Sequence, residues 1–272
     1  MQLDSDQVKA FQQLIWDFYK KYGRVFAWRF ASDPYYIFVS EVMLQQTQTN
    51  RVEKKYAEFV TVFPTLDSLA RASVRDLLTV WQGLGYNRRA LYLHTSAQKI
   101  MQDYGGSIPD NPDILVTLPG IGKATAASIC AFAFNIPTVF IETNIRTVFI
   151  DSFFKEQETI HDQQILSLVA ATLDKNNSRE WYYALMDYGV YLKKTYPNPS
   201  KKSAHYAVQS KFEGSDRQIR GMIIRLLTER ERLTIEQIVQ MTQKKFDKVE
   251  LVIQTLIQDR LIKQENDYIS II

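Results

Sequence analysis

Leu118-Pro119-Gly120-Ile121-Gly122-Lys123 is the stretch that decides how the rest of the chain is read. Pro119 presets φ at the first central position of a turn, and Gly120 tolerates the positive φ that the second position requires. Gly122 lets another backbone come close. The helix expected from Lys123 turns its free N–H groups and the positive end of its dipole outward. A backbone shaped this way offers several donors to one phosphate, and Lys123 adds a cation that serves any phosphate without sequence preference. A lone Pro-Gly-x-Gly also fits an ordinary corner between helices. Leu115 and Leu118 before it, and the alanine-rich 123–134 stretch after it, favour a helix–hairpin–helix.

An acid lies in an apolar run on each side of this hairpin. Glu41 stands in Ile37-Phe38-Val39-Ser40-Glu41-Val42-Met43-Leu44, and Glu142 closes Val139-Phe140-Ile141-Glu142. Two carboxyl groups are what cleavage of a glycosidic bond employs. An apolar surround favours the protonated carboxyl, which suits a proton donor near neutral pH. Blander readings remain open: Glu41 as a solvent-facing residue of a half-buried helix, and Glu142 as a carboxylate favouring the first turn of a helix from Asn144, with Thr143 as its N-cap. Gln45-Gln46-Thr47-Gln48-Thr49-Asn50 closes the apolar helix that begins at Ile37. Amides such as Gln45, Gln46 and Gln48 can wedge into a base stack and bond to base edges, although a solvated helix end has the same composition. Gly83-Leu84-Gly85-Tyr86-Asn87-Arg88-Arg89 joins a flexible loop to an aromatic ring and two cations. Tyr86, Arg88 and Arg89 therefore suit stacking and phosphate contact, or form a plain basic loop.

The chain has 272 residues, 46% of them hydrophobic, with a formal net charge of +3. A packed core is expected, and the charge permits a nucleic-acid partner without demanding one. One cysteine, Cys130, excludes an internal disulfide and a cysteine-ligated metal, and His94, His161 and His205 are scattered. Cys130 is expected as a buried thiol. No apolar run approaches the roughly 20 residues that span a bilayer, and Met1-Gln2-Leu3-Asp4-Ser5 opens no signal peptide. A soluble, monomeric, cytoplasmic or nucleoid-associated protein without a membrane partner is the expectation.

Apolar spacing and breakers place a helix capped at Ser5 or Asp6, then helices over 37–50, 52–63, 73–82, 88–104, 112–118, 123–134, 144–154, 162–173 and 180–191. The fold class is all-α, with strand alternation hard to find before residue 260. Residues 1–195 form the expected main domain in two helical lobes, and 196–215 the linker. Within 216–272 lie helices over 216–227, 234–242 and 247–259, then a hairpin turning near Asn266-Asp267. That order resembles a winged helix, a fold that binds DNA or docks proteins. Val249, Leu251, Val252, Leu256 and Ile257 make its third helix a core helix with few base-reading side chains.

From Trp28 to about Gly189 the chain resembles the helix–hairpin–helix (HhH-GPD) DNA glycosylases, most closely the adenine-removing MutY type. The matching pieces include Trp28-Arg29, Asp33-Pro34-Tyr35, the 40–48 run, Trp81-Gln82-Gly83-Leu84-Gly85-Tyr86, Leu118–Gly122, Glu142-Thr143-Asn144 and Met186-Asp187-Tyr188-Gly189, in the family's order. The resemblance implies a two-lobed helical fold that binds double-stranded DNA carrying a mispaired or damaged base. By that resemblance Glu41 protonates the adenine ring, and Glu142 stabilises the cation on the sugar. Gln45, Gln46 and Tyr86 surround the flipped nucleotide and its orphaned partner. Trp28, Arg29, Leu44, Ala124, Asn144 and Asp187 form or support the base pocket. Gly120, Gly122 and Lys123 hold DNA, and a monovalent cation, Na+ or K+, sits on the carbonyls of Val116, Leu118 and Ile121.

Four departures qualify the resemblance. Glu142 stands where the family has aspartate. Lys193, Ser200, Ser203 and Gln209 occupy the places of four cysteines that bind an iron–sulfur cluster, so no cluster is expected. Ala124 replaces the nucleophilic lysine of bifunctional relatives, which implies a monofunctional enzyme without lyase activity. Lys123 lies one residue early, about 100° away on a helix. The large lesion-reading C-terminal domain gives way to the winged-helix-like segment. The resulting expectation is hydrolysis of the N-glycosidic bond of adenine opposite guanine or 8-oxoguanine. A thymine or uracil mismatch glycosylase on the same scaffold, and a mismatch-binding protein without catalysis, are the alternatives.

Overall fold

The structure is a computed structural model that describes residues 2–208 and 211–272. Fourteen α-helices and one three-stranded sheet make up the regular α and β structure among the described residues. The chain divides into two compact units whose bounds differ from the linear division suggested by composition. One comprises Met1–Phe38, Asp110–Thr117 and Ile121–Val208, and the other Val39–Pro109, Leu118–Gly120 and Gln209–Ile272.

The first unit holds α1 (Ser5–Tyr22), the start of α2 (Pro34–Leu44), α7 (Pro112–Leu115), α8 (Lys123–Phe134), α9 (Thr143–Phe153), α10 (Asp162–Thr172) and α11 (Ser178–Thr195). The cap of α1 is Asp4 rather than Ser5 or Asp6. Its carboxylate accepts from the Asp6 and Gln7 amides while Gln7 reaches back to the Asp4 amide, a reciprocal capping box. α8 begins and ends where the sequence places it, because Gly122 precedes it and Asn135 closes it in the left-handed conformation. α9 and α11 pack along each other, and α1 covers α11. Phe11, Phe149 and Trp181 interlock with ring centroids 5.3 and 6.0 Å from Phe11. This aromatic core packs α1 against α9 and α11.

Residues 199–204, expected within a linker, are packed against the same unit. Ser200 and Ser203 are buried, the Ile160 amide donates to Lys202 O at 2.9 Å, and the Ala204 amide donates to Ile160 O at 2.9 Å.

The second unit contains the rest of α2, α3 (Thr49–Val62), α4 (Leu66–Ala70), α5 (Val74–Trp81), α6 (Arg88–Asp103), α12 (Asp216–Glu229), α13 (Ile235–Thr242) and α14 (Phe246–Gln258). Strand β1 (Leu233–Thr234) pairs antiparallel with β3 (Tyr268–Ile271), which pairs with β2 (Ile262–Glu265), completing a winged-helix order. Neither α4 nor β1 stands out in the sequence, since each is too short to show a period. Leu251, expected in the core of α14, is 59% exposed, whereas Val249, Val252 and Leu256 are buried.

α12 docks on α5. Arg75 Nη1 donates to Leu227 O at 2.6 Å, and Gln82 Nε2 donates to Thr228 Oγ1 at 2.6 Å. The guanidinium thus satisfies carbonyls that the end of α12 leaves open. Among the described residues, no helix is long and apolar enough to cross a membrane.

Candidate functional site

Glu142 is itself the N-cap of α9, a role the sequence assigns to Thr143. Its Oε1 accepts from the amides of Asn144 at 2.7 Å and Ile145 at 2.8 Å, and its Oε2 accepts from Asn144 Nδ2 at 3.0 Å. The longer side chain folds back over the helix end, so its charge faces the positive end of the dipole. Thr143 is exposed instead. Asn144 is fixed from below by α11, for a Cβ on Gly189 would overlap the Asn144 carbonyl oxygen. One turn further along α11, Lys193 is half-buried. Burial lowers its pKa from the usual lysine value, against an opposing pull from Glu142.

Arg29 and Asp187 come together as a buried pair. Arg29 Nη1 and Nη2 each reach one Asp187 carboxylate oxygen at 2.8 Å. Arg24 Nε reaches Oδ1 at 2.6 Å, and the Arg24 amide reaches Oδ2 at 2.7 Å. Asp187 is 3% exposed, and four donors occupy its two oxygens. Removing one member of such a set strands a buried charge, at a cost of about 3–5 kcal/mol. The Arg29 guanidinium also lies over the Tyr183 ring at 4.3 Å, and Trp28 is buried and stacked on Phe26 at 4.8 Å. Arg24 was not legible as a partner. Its only signal is a second arginine close to Arg29.

In the other unit, Glu41 sits half-buried on α2, one turn before Leu44, also half-buried. The helix ends at Leu44, not near Asn50. Arg89 supplies the reason. Its Nη1 donates to the carbonyls of Val42 (3.0 Å), Met43 (2.8 Å) and Gln45 (2.5 Å), which a continuing helix would use itself. Its Nη2 donates to Thr47 Oγ1 (2.8 Å), Leu84 O (3.2 Å) and Gly85 O (3.2 Å). Arg89 is 8% exposed, so the expectation that it faces DNA is corrected: it clamps two loops from beneath. Burial lowers its pKa to about 10, which leaves it charged at neutral pH.

The clamped loops carry Gln46 and Tyr86, both with positive φ, at +53° and +48°. Such a conformation is uncommon for side-chain-bearing residues and persists where surrounding structure enforces it. Gln46 and Tyr86 are exposed, as is Gln48 just before α3. Gln45 Nε2 donates to Gly120 O at 3.1 Å, tying the amide run to the hairpin tip. Arg88 pairs with Asp259 at 3.3 Å and bonds the Tyr92 hydroxyl.

At the hairpin, Gly120 has φ +73°, and a Cβ there would meet the Tyr92 side chain at 2.7 Å. Helix α7 ends at Leu115, so the turn is longer than the sequence suggests. Gly122, Lys123 and Ala124 are exposed at the start of α8, with Leu118 and Ile121 buried and Val116 exposed.

The residues at the places of cluster cysteines do not fit an iron–sulfur cluster, which needs thiolates. Lys193 is an amine, Ser200 donates to Asn198 Oδ1 at 2.6 Å, and Ser203 Oγ accepts from the His205 amide at 3.1 Å. Gln209 lies outside the described residues. Among the described residues, no group of three or more His, Cys, Asp or Glu side chains could hold a metal ion. The one cysteine, Cys130, is buried.

Residues 39–171 match the model of the HhH-GPD superfamily of base excision DNA repair proteins. A protein of Mycolicibacterium smegmatis named adenine DNA glycosylase is 32% identical over 208 residues, covering 70% of this chain and 71% of that protein. A protein of the same name from Buchnera aphidicola subsp. Baizongia pistaciae is 32% identical over 186 residues, covering 66% of this chain and 52% of its own length. This chain thus spans about half the length of the first curated relatives it matches. A solved structure of a thermostable thymine-DNA glycosylase superposes with a TM-score of 0.62 at 24% identity, over 72% of this chain and 91% of that one.

Proposed function

The chain belongs to the HhH-GPD superfamily of base excision DNA repair proteins, and from that premise we propose that it is a monofunctional DNA glycosylase removing mispaired adenine. The observation that carries the reading is the anchored carboxylate of Glu142, held by three donors at the head of α9. A carboxylate fixed in advance stabilises developing positive charge without reorganising when the reaction occurs.

In this reading the target nucleotide leaves the stack, at a cost that a mispair reduces. Glu41 donates a proton to the departing adenine. Glu142 opposes the charge that grows on the deoxyribose as the N-glycosidic bond breaks, and water then completes hydrolysis. The paired Arg29 and Asp187 keep the pocket wall rigid. Gly120, Gly122 and Lys123 engage the phosphate backbone through amides and charge. A sodium or potassium ion on the carbonyls of Val116, Leu118 and Ile121 would strengthen that grip. Ala124 offers no amine for a covalent lyase step.

The test is a set of duplexes carrying A:8-oxoguanine, A:G, T:G and U:G, assayed with excess protein. Release of adenine is expected, with Glu41→Gln slowed by about 100-fold or more. Release of thymine or uracil alone would reassign the substrate. Near-full activity of the Glu41→Gln protein would remove the proton donor from the scheme.

A further inference from the structure

One face of α6 carries Arg88, Tyr92 and Ser96 at four-residue spacing, and each meets a different neighbour in the second unit. Ser96 Oγ donates to the Pro119 carbonyl at 3.1 Å, and Tyr92 lies so close to the hairpin tip that a Cβ on Gly120 would approach it to 2.7 Å. Arg88 bonds the Tyr92 hydroxyl and pairs with Asp259, at the end of α14, at 3.3 Å. Arg220 of α12 holds the other Asp259 oxygen at 2.5 Å and donates to Thr255 Oγ1 at 2.8 Å. We propose that Asp259 is a positioning residue, which with Tyr92 aims the Arg88 guanidinium at a DNA backbone phosphate beside the hairpin tip, so that the C-terminal segment sets a cation of α6. The proposal rests on the reading above for its ligand, double-stranded DNA, and involves no base.

Exposure separates the members of this chain of contacts. The side chains of Asp259 and Arg220 are 18% and 22% exposed, and that of Arg88 is 54% exposed. The inner pair is seated, and Arg88 is the member that a ligand can reach. One carboxylate faces two guanidinium groups, so a positive charge is left over. A guanidinium has five N–H donors, and Asp259 and Tyr92 engage two of those on Arg88. The remaining donors have room for a phosphate group, because Arg88 borders a cavity of about 420 Å3 that Gly120 also lines. The planar fork matches phosphate geometry. An arginine held in place beforehand also avoids the ordering cost of binding, worth between about twofold and tenfold in affinity. An acid that only neutralised Arg88 would act in the opposite sense, since its removal would free the cation for DNA. The α12 side of the brace is firmly placed, for Arg75 bonds the carbonyls at its C-terminal end.

Binding of the full chain to an undamaged duplex is measured over a salt series, so the result does not depend on base release. Asp259→Ala is expected to weaken binding about fivefold in the wild-type background and not at all beside Arg88→Ala. Arg88→Ala is expected to flatten the log–log salt dependence by about 0.9, the loss of one phosphate contact. Arg88→Lys keeps the charge and the slope but lacks the fork, and is expected to bind about fivefold more weakly. Arg88 is the outward member, so its variants are expected to melt with the wild type, and they decide the matter if Asp259→Ala does not fold. In single-turnover excision of adenine, Asp259→Ala is expected to raise the half-saturating protein concentration about fivefold with an unchanged maximal rate, a split that loss of structure would not give. Tighter binding by Asp259→Ala, equal losses in the two backgrounds, or wild-type binding by Arg88→Lys overturns the proposal. A chain that removes no base but shows the coupling of Asp259 to Arg88 refutes the catalytic reading and leaves the positioning role standing.

Discussion

Replacing Glu142 by glutamine separates the capping of α9 from the charge stabilisation proposed for the same carboxylate. Glutamine keeps an oxygen for the Asn144 and Ile145 amides, now 2.7 and 2.8 Å from Oε1. Its NH2 group would face Asn144 Nδ2, and the Asn144 amide can turn over to meet it with Oδ1, a buried atom without a hydrogen-bond partner. The cap then survives, and folding loses only the charge–dipole contribution of about 0.3–1 kcal/mol. The reaction, by contrast, loses the full charge that opposes the sugar cation, so single-turnover excision should fall about 100-fold or more, or about 2.7 kcal/mol in the barrier. Glu142→Ala removes the cap as well and should cost about 1 kcal/mol of stability. Urea unfolding supplies the first quantity. Alkaline cleavage of the abasic product from an A:G duplex, with protein in excess, supplies the second. A Glu142→Gln rate within about threefold of wild type would show that the carboxylate only caps a helix, and the catalytic scheme would fall.

Three further outcomes follow from packing and charge. Arg89→Met strands carbonyls of Val42, Met43 and Gln45 and should lower stability by about 3 kcal/mol or more, with faster proteolytic cutting at 45–48. Gly189→Ala forces α11 away from Asn144 and should cost on the order of 3 kcal/mol in thermal unfolding, with slower excision through a displaced Glu142. Burial lowers the pKa of His94 from its ordinary value of 6.5. The unfolded chain therefore binds the proton first, and wild-type stability should fall as pH drops from about 6.5 towards the folded value. His94→Gln should flatten that part of the curve in denaturant titrations at stepped pH.

Much of the fold was legible because its signals are local. α8 covers 123–134 as expected, with Gly122 and Asn135 at its ends, and the C-terminal hairpin turns near Asn266, which has a positive φ. Some misreadings come from partners elsewhere in the chain, others from the reach of a single side chain. The amide run continues an apolar helix by composition, yet Arg89 from α6 takes the carbonyls that would extend it. Thr143 is the better cap by residue preference, but Glu142 is longer and reaches two amides from outside the helix. Arg88 and Arg89 are indistinguishable in sequence. One faces a cavity edge beside Asp259, and the other is sealed under two loops. Arg29 and Asp187 were singled out by resemblance, while the second cation on Asp187, Arg24, emerges only in three dimensions.

Residues 199–204 hold to Ile160 through main-chain amides and carbonyls, with Ser200 and Ser203 shut away from solvent. A fastening of that kind needs no iron supply, no helper to deliver a prosthetic group and no reducing milieu. Chelators and peroxides are expected to leave such main-chain bonds intact, and the stretch is held as soon as they form.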